Sequence, residues 1–299
     1  MNIRTNLTAI LALLLLVSCS GPQGYVRTGV IVMNKFGLFA EGPQWDSTKA
    51  ELRAAKPETM DEAQALVRSA VKVAGGKHSF LYYADDVKSD RAAEWEMPAV
   101  SITDDGIAQI KLPAFSGDKE SAEEYARTVL QAVPDDITGA IIDLRGNTGG
   151  NMYPMIASVH RFISSGDDML RFRSRKRTNY IVLSFVVRSV GVEQMAHIDC
   201  PVALLTDGDT ASSGEATLIC FRGQENARSF GSPTAGYASA NSSFPMPDGS
   251  MLVLTTGCDV ARTGEVFCDD PIEPDAITES PIEEALAWIR QGLQERAGN

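Results

Sequence analysis

Two strand-to-helix corners constrain what this chain can fold into. The apolar run PVALLTD (201–207) leads into TASSGE (210–215) and on into ATLICF, and GAIIDL leads into DLRGNTGG (143–150) ahead of another helix. Repeated strand, turn and helix predict βα units and a largely parallel sheet. Such a turn also lifts a serine hydroxyl onto the N-terminal end of a helix. There, orphan N–H groups favour the negative charge that develops when serine attacks a carbonyl. Two corners of this kind can face each other across one site, which predicts nucleophilic serine chemistry.

The first residues set the address. MNIR carries a positive charge, LTAILALLLLV is an apolar run short for a bilayer span, and LVSC ends at Cys19. This reads as a bacterial lipoprotein signal over 1–18, with Cys19 the lipid attachment and a tether over 19–27. The expected location is the cell envelope, at the outer membrane if the source is Gram-negative, with the membrane met through the lipid anchor. A net charge of −12 argues against nucleic acid, and against adhesion to an anionic surface, as the main business. The one basic cluster, RFRSRKR (171–177), reads as a solvated hairpin edge, with a docking site for acidic groups as the alternative.

Four further cysteines, Cys200, Cys220, Cys258 and Cys268, form an even set in an exported chain, which predicts disulfides. CDVARTGEVFC reads as two strand ends around Thr263 and Gly264, which pairs Cys258 with Cys268 and leaves Cys200 with Cys220. The spacings match no zinc pattern, so no metal is expected.

Residues 28–77 read as a small helical region: Ala63, Leu66, Val67, Ala70 and Val71 recur at helical spacing behind a capping box of Thr59 and Glu62. From 78 to 299 the order is a hairpin turning at Asp104–Gly106, a helix with Tyr125 and Val129 inward, the glycine corner, a helix near 153–164, the basic hairpin and the serine corner. A strand over 251–256 follows, and a last helix opens at Ser280, Pro281 and Glu283.

IAQIKLPAFSG, GAIIDLRGNTGGNMYPM, PVALLTDGDTASSGEA, SFGSPTAG and PIEPD, in this order, resemble the core of the tail-specific, or C-terminal processing, serine peptidases over roughly residues 78–278. The resemblance implies an α/β fold, a ClpP/crotonase-like ββα spiral core, and hydrolysis of peptide bonds without a cofactor. It implies Ser212 as the nucleophile, three residues before Glu215, with Ser213 its nearest competitor. The usual lysine base is missing: its position holds Tyr237, a poor base at neutral pH. The tricorn-like branch uses a histidine in a GHS-like motif, which KHSF matches at His78. Lys77 beside it is the less favoured alternative. The third member should lie near PIEPD, with Glu273 the best match and Glu265 and Asp270 open. Amides near Gly149 and Gly150, with that of Ser213, are the implied oxyanion hole. Asp143 and Arg145 read as a structural pair, and Asp275 as a turn or cap.

The stretch from His78 to Ile107 is too short for the PDZ domain that processing proteases often insert. Substrates are therefore expected to be short peptides or exposed ends of unfolded chains. Two rival readings remain: a non-catalytic binder of an apolar ligand or peptide, as in the retinoid-binding relatives, and an esterase with the same triad.

Overall fold

The computed structural model describes residues 21–83, 85, 95–164 and 169–297. The expected signal peptide and Cys19 lie outside them. The chain divides into two compact units, Met1–Ala92 with Asn241–Thr256, and Ala93–Ala240 with Gly257–Asn299.

The first unit carries α1 (Pro22–Phe36), α2 (Gly42–Ala54), α3 (Met60–Gly75) and β1 (Phe80–Tyr82). Where a tether was expected through residue 27, helix α1 already runs from Pro22. Tyr25, Val26, Val30 and Met33 fall at helical spacing and are buried, so apolar burial holds this stretch to the unit. In α3, Ala63, Val67, Ala70 and Val71 are buried as the periodicity predicts. Its capping box is shifted: Thr59 Oγ1 accepts from Glu62 N–H at 3.3 Å, while the Glu62 carboxylate reaches Glu58 N–H at 2.8 Å. β1 runs antiparallel to the first part of β10 (Met251–Ala261), with Phe80 opposite Val253. Trp45, Val67, Leu252 and Leu254 share this unit's core.

The second unit is built on a six-stranded sheet, β12-β8-β7-β4-β3-β2, of β2 (Ala99–Ile102), β3 (Ile107–Lys111), β4 (Gly139–Asp143), β7 (Val202–Thr206), β8 (Ala227–Gly231) and β12 (Ala276–Ile277). The β2–β3 hairpin is antiparallel and every other pairing parallel. Both faces are covered, and the strand period of two sorts the side chains between them. Ala140, Ile142, Val202 and Leu204 join the core with α4 (Lys119–Ala132). Ile141, Ala203 and Leu205 meet Ala285 and Ile289 of α8 (Pro281–Ala297). Burying one such side chain is worth about 1.5–3 kcal/mol, which fixes the strand register on both sides.

The helix expected near 153–164 is shorter: α5 (Met152–Ser158) gives way at Val159 to a 3₁₀ turn, His160–Phe162. The basic segment is a hairpin, β5 (Leu170–Arg173) and β6 (Thr178–Ile181). An unexpected helix follows, α6 (Leu183–Val190). Its valines have weak helix propensity, but Leu183, Val186, Val187 and Val190 fall on one buried face, so packing overrides propensity.

Cys258 and Cys268 are disulfide-bonded, joining β10 to the end of β11 (Val266–Phe267) around the turn at Thr263 and Gly264. The expected Cys200–Cys220 bridge does not form; both residues are buried thiols of the same core. The Cys220 thiol donates to Ala216 O at 3.3 Å inside its own helix, and burial pushes it up, which keeps it protonated and inert.

Candidate active site

The two corners meet within the second unit. The glycine corner joins β4 to α5, and the serine corner joins β7 to α7 (Ser213–Ile219). Ser212 is the N-cap of α7, at φ 52 and ψ −110, and is the one non-glycine residue with positive φ among the described residues. A conformation of this kind costs of order 1–3 kcal/mol and persists only where surrounding bonds impose it. Here they can be named.

Asn147, fully buried, is one clamp. Its Nδ2 donates to Leu112 O at 2.9 Å, its Oδ1 accepts from Gly149 N–H at 3.0 Å, and its carbonyl accepts from Ala211 N–H at 2.8 Å, one residue before Ser212. The fit is tight: a Cβ on Gly149, at φ +106, would stand 2.8 Å from Ser212 Cβ. One on Gly150, at φ +110, would stand 2.0 Å from Phe115 O. Only glycine serves at either place.

Glu215, also fully buried, is the other clamp. Its carboxylate accepts from Ser212 N–H at 2.8 Å, Tyr237 N–H at 2.8 Å, Gly236 N–H at 3.0 Å and the Thr234 hydroxyl. Thr234 Oγ1 in turn accepts from Ile272 N–H at 2.8 Å, which ties in the segment before Glu273. Four donors and no acceptor suit an ionised carboxylate. Burial raises the Glu215 carboxyl and these hydrogen bonds oppose that rise. Asp259, on β10, is nearly fully buried, and its Oδ1 has no hydrogen-bond partner among the described residues. Burial, and then the nearby Glu215 charge, push the Asp259 carboxyl well above its ordinary value, which favours its protonated form. Neither Asn147 nor the buried role of Glu215 was read from the sequence. The signals present were an Asn inside a glycine corner and a Glu three residues into a helix.

Ser212 is half-buried. The Ser213 hydroxyl is spent, donating to Gly150 O at 2.6 Å. Of the three amides expected at an oxyanion hole, Gly149 N–H donates to Asn147 Oδ1 at 3.0 Å. The N–H groups of Gly150 and Ser213 donate no hydrogen bond among the described residues. Glu273 is exposed, without a hydrogen bond or ion pair among the described residues. Of its alternatives, Asp270 is exposed and Glu265 pairs with Arg222 at 3.2 Å; Asp275, read as a turn or cap, pairs with the same Arg222 at 3.1 Å. Asp275 also accepts from Ser229 N–H at 2.8 Å, which ties it to β8 and is not the local turn or cap expected of it. Arg145 and Asp143 pair at 2.8 Å.

His78 belongs to the first unit, in the turn between α3 and β1. It is half-buried, and its carbonyl accepts from Asn241 Nδ2 at 3.0 Å. Lys77 beside it is exposed. Tyr237 gives its N–H to Glu215. His160 is a satisfied core histidine, with Nδ1 on Ala157 O at 2.7 Å and Nε2 accepting from Met195 N–H at 2.9 Å.

Residues 106–278 match Peptidase family S41, more than half of the chain. The chain belongs to this family. It is thus a serine peptidase, a hydrolase of peptide bonds. A nisin-resistance protein of Lactococcus lactis is 30% identical over 282 residues, covering 91% of this chain and 88% of that protein. The carboxy-terminal processing protease CtpA of Bacillus subtilis is 23% identical over 196 residues. That match covers 66% of this chain and 40% of the relative, so the chain spans less than half of CtpA's length. A solved lipoprotein structure from Streptococcus agalactiae superimposes with a TM-score of 0.82 at 29% identity, over 90% of this chain and 96% of that one.

Proposed function

We propose that this S41 peptidase works through a Ser-His-Glu triad of the tricorn-like kind, with Ser212 as nucleophile, His78 as base and Glu273 orienting His78. Ser212 Oγ attacks the scissile carbonyl carbon while His78 takes its proton. The carbonyl oxygen, now an anion, is held by the N–H groups of Gly150 and Ser213. Collapse expels the amine, which receives the proton from His78, and a water molecule then releases the acyl chain from Ser212 by the same steps. The observation that carries the reading is the Ser212 turn itself: strained, clamped by Asn147 and Glu215, and flanked by two amides with unspent donors.

The substrates in this reading are peptides at the cell envelope, where a chain acylated at Cys19 would sit. The name of the Lactococcus relative supports nisin as a probe. A net charge of −12 favours encounter with cationic peptides. The test incubates the full chain with nisin and with a mixed peptide library, and reads new termini by mass spectrometry. Cleavage lost in both Ser212→Ala and His78→Gln supports the triad; cleavage retained in His78→Gln refutes the base. An ester substrate turned over faster than its amide would favour the esterase reading.

A further inference from the structure

The basic hairpin plays no part in the site above, and its charge is out of keeping with the rest of the chain. From Met169 to Val192 the sequence holds six basic residues and no acidic one, while the whole chain stands at −12, so the remainder stands at −18. Arg173, Lys176 and Arg177 are exposed and have no acidic partner among the described residues. β6 is the outer strand of its sheet, beyond β5, and presents Tyr180 at 56% exposure. The Arg171 guanidinium lies 5.9 Å from the centre of the Tyr180 ring, and Phe185 of α6 is 37% exposed.

Charges on an edge strand discourage pairing between sheets. That purpose needs one or two lysines; it accounts neither for so long a run free of acids nor for an aromatic ring left in water beside the cations. We propose that the β5–β6 hairpin is a docking surface for an anionic phospholipid layer. Clustered Lys and Arg are drawn to anionic headgroups, and a tyrosine, apolar in body and polar at its tip, settles at headgroup depth. An acidic protein would match the same cations, and the polyglutamate arm of the test separates it from a lipid layer. The acidic remainder does not forbid the contact, because at physiological salt charges more than about 8 Å away are largely screened. The local patch therefore governs adhesion, although the net charge opposes it at long range.

The test is the partition of the full chain onto vesicles of phosphatidylcholine with and without phosphatidylglycerol. The ratio of the two cancels whatever the apolar N-terminal run contributes to both. Each basic residue at an anionic surface strengthens binding about fivefold, so three predict a ratio on the order of 100 at physiological salt. The ratio should fall close to one in the R173Q/K176Q/R177Q variant and at high salt. Peptidase activity on a soluble peptide should be unchanged in that variant, which reports that it folds. A wild-type ratio near one, or a ratio that survives the triple substitution, overturns the proposal. So does binding to polyglutamate without binding to the anionic vesicles, which would identify an acidic protein as the partner.

Discussion

Glu215→Gln tests whether a buried anion builds the serine turn. The wild-type side chain takes four donors, two on each oxygen. Glutamine keeps one carbonyl oxygen for the N–H groups of Ser212 and Tyr237, but sets an NH₂ against Gly236 N–H, which is left without an acceptor. Losing a hydrogen bond to a charged group costs about 1.5–3 kcal/mol, and the remaining bonds weaken from charged to neutral. Relief of burying the charge returns part of this, leaving a net loss of about 3 kcal/mol. For a protein of this size that lowers Tm by roughly 6–12 °C. A turn displaced by about 1 Å lowers kcat on the order of 100-fold. Thermal melts and hydrolysis of a cleaved peptide measure both. The rival state, a Glu215 already protonated, is mimicked by glutamine, so wild-type Tm and kcat in the variant would refute the reasoning.

Gly149→Ala should abolish activity and destabilise by more than about 1 kcal/mol, since φ is +106 and the new Cβ meets Ser212 Cβ at 2.8 Å; a melt and a rate measurement decide it. Ser212→Gly relieves the positive φ, so it should be inactive yet more stable than Ser212→Ala by about 1 kcal/mol in urea unfolding. Asp259 is raised when folded, so its contribution is full below about 3.8 and lost as pH rises through its folded value. Asp259→Asn should therefore gain stability over the wild type with rising pH, by at most about 1.4 kcal/mol per unit, and a gap constant with pH would sink this idea. Burial lowers His160 below 6.5, so its contribution is full above that pH and lost as pH falls toward the folded value; NMR titration of its ring should give a midpoint below 6.5.

Much of the second unit was legible because its sheet is buried on both faces. GAIID and VALLT are continuous apolar runs that a helix of the same length would not distinguish by period, yet each ends in a glycine or serine turn, and that punctuation identifies a strand. The hairpin at Asp104–Gly106 and the cap at Thr59 were legible for the same local reason. Helix α6 was not, because its valines argue for strand until the buried face is known. The start of α1 was not, because a lipoprotein signal invites a tether after it. The Cys258–Cys268 bridge follows from one hairpin and was readable, whereas Cys200 and Cys220 were paired only by elimination, and a buried thiol needs no disulfide. Asn147 acts through bonds to Leu112 and Ala211, and Glu215 through bonds to Thr234, Gly236 and Tyr237, all distant in the chain, and spacing alone does not encode these.

The same network explains why the serine and glycine corners come as a pair. Ser212 holds a backbone conformation that it would leave if its neighbours were free. Ala211 N–H is held by the Asn147 carbonyl, and Ser212 N–H by Glu215, so the turn is fixed just ahead of the Ser212 α-carbon. Asn147 holds Gly149 through the other end of the same residue, so the amide next along, that of Gly150, is positioned by the clamp that positions the serine. The proposed nucleophile and the proposed anion-binding amides thus share supports, and a change at either corner propagates to the other. In the proposed mechanism the strain at Ser212 is the consequence of fixing a hydroxyl relative to two N–H groups before any substrate arrives, which is the condition under which such donors stabilise a transition state most.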